Sequence, residues 1–216
     1  MNRVLNRIRK DNKEFVTSEE IKSYCEKLYF NYRLINNYLI SRGLIVKVLD
    51  DLYYVKSDDE IRKKRLKYSI LEIIAKGLKL KRIDNWYFGL YTALKLIKIK
   101  VDHKNKFLYL INDKISNDKP INILGKKFRF LRFNNALFNF GIIDNGIRYS
   151  DHEKTILDFI YLLDYNQMNE NRILIEISKI IDGISEEKIM EYSQYYPESN
   201  RDLLIKSIDK FISIPT

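Results

Sequence analysis

The 216-residue chain contains one cysteine, Cys25, so an intramolecular disulfide is excluded. Its two histidines, His103 and His152, are far apart in sequence. With a single cysteine beside them they form no cluster of metal-ligand spacing. His103 falls in a Lys- and Asp-rich turn and is expected to be exposed. No run of about 18 uncharged apolar residues occurs, so no membrane-spanning helix and no membrane partner are expected. The N-terminal MNRVLNRIRKDNKE lacks the apolar core of a secretory signal. Together these absences predict a cytoplasmic, soluble protein. The sequence also has no P-loop, no G-x-S-x-G and no G-x-G-x-x-G. No enzymatic activity and no cofactor are therefore expected. The carboxylates Asp144, Glu153 and Asp158 are compatible with a nuclease fused to a DNA-binding domain, but their spacing is not diagnostic.

Positive charge is abundant and unevenly placed. The net charge is +10. Residues 1–82 hold 20 Lys and Arg against 11 Asp and Glu, a net +9; residues 83–216 hold 19 against 18, a net +1. A compositional bias acting on the whole gene would raise both halves alike. The asymmetry instead places a polyanion-seeking surface on the first part of the chain.

The stretch from Glu14 to Ser57 explains that preference. Phe15–Thr17 reads as a short strand. Thr17 and Glu20 have the spacing of a capping box opening a helix, in which Ile21 and Tyr24/Cys25 recur at helical intervals. A second helix runs from about Phe30 to Arg42. Leu34, Ile35, Tyr38 and Leu39 form its apolar face, and Tyr32, Arg33, Asn36 and Asn37 its polar face. Gly43 stops it. Leu44–Leu49 and Leu52–Val55 follow as a hairpin with Asp50-Asp51 between them. Met1 to about Asp11 supplies a preceding helix, with Val4, Leu5 and Ile8 inward and Arg3, Arg7, Arg9 and Lys10 outward. This order is that of a winged helix-turn-helix over residues 1–57. On that reading Tyr32, Arg33, Asn36 and Asn37 contact base edges, because Arg and Asn make paired hydrogen bonds to guanine and adenine. Thr17, Ser18 and Lys47 are expected on the DNA backbone. The bland alternative is a small helical subdomain with a polar outer face; winged helices also bind proteins. The acidic hairpin tip would be repelled by phosphates, so the hairpin is expected to be mainly structural or to stay off the backbone.

Residues 58–82 read as a basic linker helix. Ser57 or Asp58 caps it, and Arg62, Lys63, Lys64, Arg65 and Lys67 form either a solvated face or a run of phosphate contacts. Ile70, Leu71, Ile73 and Ile74 continue it, and Gly77 marks its expected end. Residues 83–216 form the remaining domain. Trp86–Leu94 is aromatic, then helical, with Gly89, Thr92 and Ala93 small enough for close packing. Strands are expected at Phe107–Ile111, Ile121–Leu124, Phe128–Phe133, Leu137–Ile143 and, after the turn Asp144-Asn145-Gly146, at Ile147–Tyr149. Ser150 and Glu153 have capping-box spacing before a helix His152–Asp164. Helices are expected at about Asn169–Ile181, Ser185–Tyr195 and Ser199–Ile212. The fold class is α+β: a winged helix-turn-helix, then a small, mostly antiparallel sheet with a helical C-terminus.

Three local patterns resemble the AbiE-type antitoxin and transcriptional repressor family of bacterial and archaeal toxin–antitoxin systems (the AbiEi family). The first is Phe15, Thr17 and Ile21 with Arg42-Gly43-Leu44 and a Tyr53 or Tyr54 closing the hairpin. The second is Tyr87-Phe88-Gly89-Leu90-Tyr91-Thr92-Ala93-Leu94. The third and most specific is Ile147-Arg148-Tyr149-Ser150-Asp151-His152-Glu153-Lys154-Thr155-Ile156-Leu157-Asp158. The resemblance covers about residues 10–165. It implies an N-terminal winged helix and a C-terminal α/β domain. It also implies autorepression through inverted repeats upstream of the operon, and neutralisation of a nucleotidyltransferase-like toxin by the C-terminal domain. The Asp50-Asp51 tip departs from the glycine-containing wing of that family. The alternative expectation is a module that sequesters such a toxin without specific DNA binding.

Overall fold

A computed structural model describes residues 2–101 and 106–212; the expected exposed turn at His103 lies outside them. The protein is α+β. It divides into two compact units, Met1–Asp84 with Asn122–Gly125, and Asn85–Ile121 with Lys126–Thr216.

The first unit contains α1 (Asn2–Lys10), β1 (Phe15–Thr17), α2 (Ser18–Lys27), α3 (Tyr32–Ser41), β2 (Ile45–Leu49), β3 (Leu52–Val55), α4 (Asp58–Lys63) and α5 (Ile70–Leu80). The three strands form an antiparallel sheet in the order β1-β3-β2. The capping box at Thr17 is complete: its hydroxyl accepts from the Glu20 N–H and the Glu20 carboxylate accepts from the Thr17 N–H. Gly43 sits at φ +63°, just past α3, where the left-handed backbone is cheapest for glycine. Val4, Leu5 and Ile8 of α1 meet Ile21 and Cys25 of α2, Ile35 and Leu39 of α3, and Ile45, Tyr53 and Val55 of the hairpin. Each fully buried aliphatic side chain contributes about 1.5–3 kcal/mol.

Residues 58–82 are not one helix. α4 ends at Lys63, with Lys64 in a left-handed cap at φ +50°. A fresh capping box, Ser69 with Glu72, opens α5. The apolar run therefore starts its own helix, which S-x-x-E predicts. Gly77 does not end that helix but lies buried within it. A Cβ there would stand 3.3 Å from Val48 and 3.4 Å from Leu52, so the missing side chain sets how closely α5 approaches the hairpin.

The six-stranded sheet has the order β6-β7-β5-β4-β9-β8, built from β4 (Trp86–Phe88), β5 (Phe107–Asn112), β6 (Ile121–Ile123), β7 (Lys126–Arg132), β8 (Ile142–Asp144) and β9 (Arg148–Ser150). It is mixed. β5 runs parallel to β7 and β4 parallel to β9, while β4–β5 and β8–β9 are antiparallel. The expected strand over Leu137–Ile143 is present only at Ile142–Asp144. The Asn134 side chain accepts from the Ala136 N–H and turns Asn135–Phe138 into a 3₁₀ helix that buries Leu137 and Phe138. Five helices complete this unit: α6 (Leu90–Leu96), α7 (His152–Tyr165), α8 (Glu170–Ser178), α9 (Glu186–Ser193) and α10 (Glu198–Phe211). Ser185 caps α9, and Pro197 occupies the position before α10, which starts one residue before the expected Ser199. α7 is capped by Asp151, not by Ser150. Its first turns, from Glu153 to Ile160, are buried on every side.

Candidate nucleic-acid interface

Asn31 accepts from the Leu34 N–H and so caps α3 through its side chain. Arg33 and Asn37, one turn apart, face solvent, and Arg33 makes no ion pair among the described residues. Tyr32 and Asn36 stand at the edge of this face. Tyr32 packs partly against the core, and the Asn36 amide oxygen is buried with no hydrogen-bond partner among the described residues. Paired recognition of adenine needs both the oxygen and the nitrogen of an asparagine amide. Asn36 therefore cannot read a base in this conformation, and Tyr32 serves packing first. Leu34 is the opposite surprise. Expected inside, it is 69% exposed, because Ile35 and Leu39 already fill the inward stripe.

The α2 terminus is occupied by the protein itself. The Thr17 hydroxyl serves the capping box, and the Ser18 N–H donates to Asp51 at 3.2 Å. Lys81 approaches the same carboxylate at 4.0 Å. Asp50 pairs with Lys47 at 2.8 Å, and that hydrogen bond, with the ammonium's charge, holds the Asp50 carboxyl below its ordinary range. The acidic tip thus caps a helix, where a carboxylate is stabilising, and engages Ser18 and Lys47, while Glu20 engages Thr17, so all three expected backbone contacts have partners within the chain.

The basic cluster divides in the same way. Arg62 and Lys63 reach Asp59 at 2.6 and 3.5 Å. Lys67 donates to Glu14 at 2.7 Å and lies over the Tyr68 ring. Lys64 and Arg65 are exposed and make no ion pair among the described residues. Glu60 anchors the cluster from inside. It accepts from the Tyr54 hydroxyl at 2.6 Å and from the backbone of Ser57 and Lys67 at 2.8 Å each. Burial alone would raise its carboxyl, but these donors outweigh burial and hold it low.

The second and third patterns meet in the other unit. β4 and β9 are parallel neighbours, with Phe88 opposite Tyr149. Gly89 is needed for space, since a Cβ there would collide with Ile111. Asp158 is fully buried. It accepts from the Tyr87 hydroxyl at 3.0 and 3.1 Å, from Tyr196 at 2.7 Å and from Lys154 at 3.3 Å. Lys154, also buried, lies over the rings of Phe140 and Tyr87, 4.5 and 4.7 Å from their centroids. Burial lowers the Lys154 ammonium and raises the Asp158 carboxyl, each opposed by the other's charge. Glu153 is no capping partner of Ser150. It accepts from the Ser185 N–H at 3.0 Å and from Lys188 at 2.8 Å. His152 meets the Ile180 carbonyl at 2.6 Å. Asp144 is exposed on its hairpin. The three carboxylates considered for a nuclease sit in different surroundings: Asp144 is exposed beside Arg148, Glu153 is paired with Lys188, and Asp158 is sealed from solvent with Lys154. Among the described residues no group of three or more His, Cys, Asp or Glu could hold a metal ion. None of their helices is long and apolar enough to cross a membrane. Sequence reasoning missed Lys154, Tyr87 and Tyr196 as a network. The available signal was a charged pair at i, i+4 in an otherwise apolar helix.

No protein-family model matches this chain, and no curated protein matches it. Among solved structures, the crystal structure of the RV2827C protein from Mycobacterium tuberculosis is similar, with a TM-score of 0.53 and 9% sequence identity. The likeness covers 98% of this chain and 76% of that one. At such identity it concerns the fold alone.

Proposed function

We propose that the first unit is a winged helix-turn-helix and that the protein is a DNA-binding transcriptional regulator, an autorepressor acting at inverted repeats upstream of its own operon. α3 is the recognition helix, and Arg33 and Asn37 are its base-reading side chains. Lys64 and Arg65 supply phosphate contacts. The observation that carries this reading is the solvent-facing, unpaired Arg33–Asn37 pair on α3, in the part of the chain that holds nearly all the net positive charge. A second helix after a tight turn, followed by a hairpin, is the arrangement in which such a pair enters a major groove. The test is an electrophoretic mobility shift across salt concentrations with duplex from upstream of the gene and with random duplex. Preferential binding by the wild type, lost in Arg33→Ala, is expected. Equal binding of both proteins to both duplexes would remove the assignment.

The resemblance to the AbiE-type family supports a second role, neutralisation of a nucleotidyltransferase-like toxin by the C-terminal unit. Co-expression with an adjacent nucleotidyltransferase gene tests it: relief of toxicity by the chain is expected, and persistence of toxicity would end this part of the reading. The protein-only alternative predicts relief with no specific mobility shift.

A further inference from the structure

We infer that Leu34 is a specificity-determining residue that reads the 5-methyl group of thymine; this rests on α3 being the recognition helix. Three observations lead there. Leu34 is 69% exposed in the first turn of α3, the part of a recognition helix that contacts base edges. Helical spacing makes Asn37 the neighbour of both Leu34 (three residues on) and Arg33 (four residues on), so the three exposed side chains border one outward patch through Asn37. Ile40, 40% exposed, flanks that patch. A leucine held in water by a capped, rigid turn gains nothing for the fold, because Ile35 and Leu39 already close the core beneath it.

The major groove offers one apolar feature, the thymine methyl, which aliphatic side chains contact. Arg33 matches guanine, Asn37 matches adenine and Leu34 matches thymine. The patch can therefore discriminate a mixed sequence with few side chains. The charge of the unit favours a polyanion as occupant over an apolar protein face.

The experiment selects tight-binding duplexes from a random library with the wild-type protein, then replaces every thymine in the winner by deoxyuridine. Wild type is expected to bind the uracil duplex about fourfold more weakly for each thymine that Leu34 covers, the factor for one buried methyl group. Leu34→Ala is expected to bind both duplexes equally. Undiminished wild-type binding to the uracil duplex would overturn the thymine assignment and leave DNA recognition standing. Failure of the library to enrich any sequence would overturn both. A wild-type self-association that Leu34→Ala abolishes, with no change on either duplex, would assign the residue to a second copy of the chain and also overturn the inference.

Discussion

The two units treat the same kinds of side chain in opposite ways. In the first, Arg33, Asn37, Lys64 and Arg65 face solvent, and much of the acidic complement is spent on caps. In the second, Lys154, Asp158, Tyr87 and Tyr196 are enclosed together. The most motif-like segment of the chain, Ser150 to Asp158, therefore builds a core. The less distinctive segment around α3 presents chemistry to solvent. A recognisable string of polar residues says that its positions are constrained. Exposure says whether the constraint is internal or directed at a partner.

The largest effect should come from opening the enclosed network. Asp158→Ala leaves the Lys154 ammonium buried without its counter-charge and is expected to cost about 3–5 kcal/mol in denaturant unfolding. Replacing both Lys154 and Asp158 by apolar residues of similar volume should cost less than the single change. A double variant less stable than wild type would show that the pair is net stabilising, and one worse than the single variant would remove the buried-charge explanation. Gly141→Ala comes next. At φ +60°, its new Cβ would stand 2.7 Å from the Lys154 Cβ and 2.9 Å from Tyr192. Loss of about 1–3 kcal/mol is expected by the same measurement.

On the other side of the comparison, Arg33→Ala should leave unfolding unchanged and lower discrimination between selected and random duplex by about 1–3 kcal/mol. Lys64→Ala with Arg65→Ala should weaken binding to all duplexes alike and reduce the slope of log K against log salt by about 2. If instead those two substitutions destabilise the fold, the contrast between an outward and an inward unit fails.

The smallest effect is on pH dependence. Glu60 and Glu153 are each held below their ordinary carboxyl range by donors that outweigh burial: Tyr54 and the Lys67 and Ser57 backbone for Glu60, Lys188 and the Ser185 backbone for Glu153. Each contributes stability that is present above the unfolded carboxyl value, about 4.5, and is lost as pH falls through the lower folded value. Asp158, raised by burial, has the opposite sign: its contribution is present below its unfolded value and lost as pH rises through the folded one. Thermal midpoints between pH 7 and pH 3 should fall less steeply in Glu60→Gln than in wild type.

Much of the first unit was legible because its signals are local. Thr17 with Glu20 names a helix start, Gly43 names a helix end, and two β-rich runs about Asp50-Asp51 name the hairpin. Leu34 was misplaced because two apolar stripes fit the α3 period, and only the packed partners decide which faces in. The Asp51 bond to α2 was unreadable, since it joins residues 33 apart through a backbone N–H. The parallel pairs in the second unit's sheet were unreadable for a related reason. β5 and β7 run parallel because of how the chain crosses over between them, and periodicity carries no information on crossover. The capping role given to Ser150 and Glu153 failed where a competing cap, Asp151, stood one residue on.

The acidic tip of the hairpin has a mechanical consequence. Asp51 ties it to the start of α2, and Lys81 lies alongside, two contacts that favour one placement of the loop. Whatever docks meets a preset surface. Association should then run in a single phase steered by ionic strength, with no slow rearrangement after first contact.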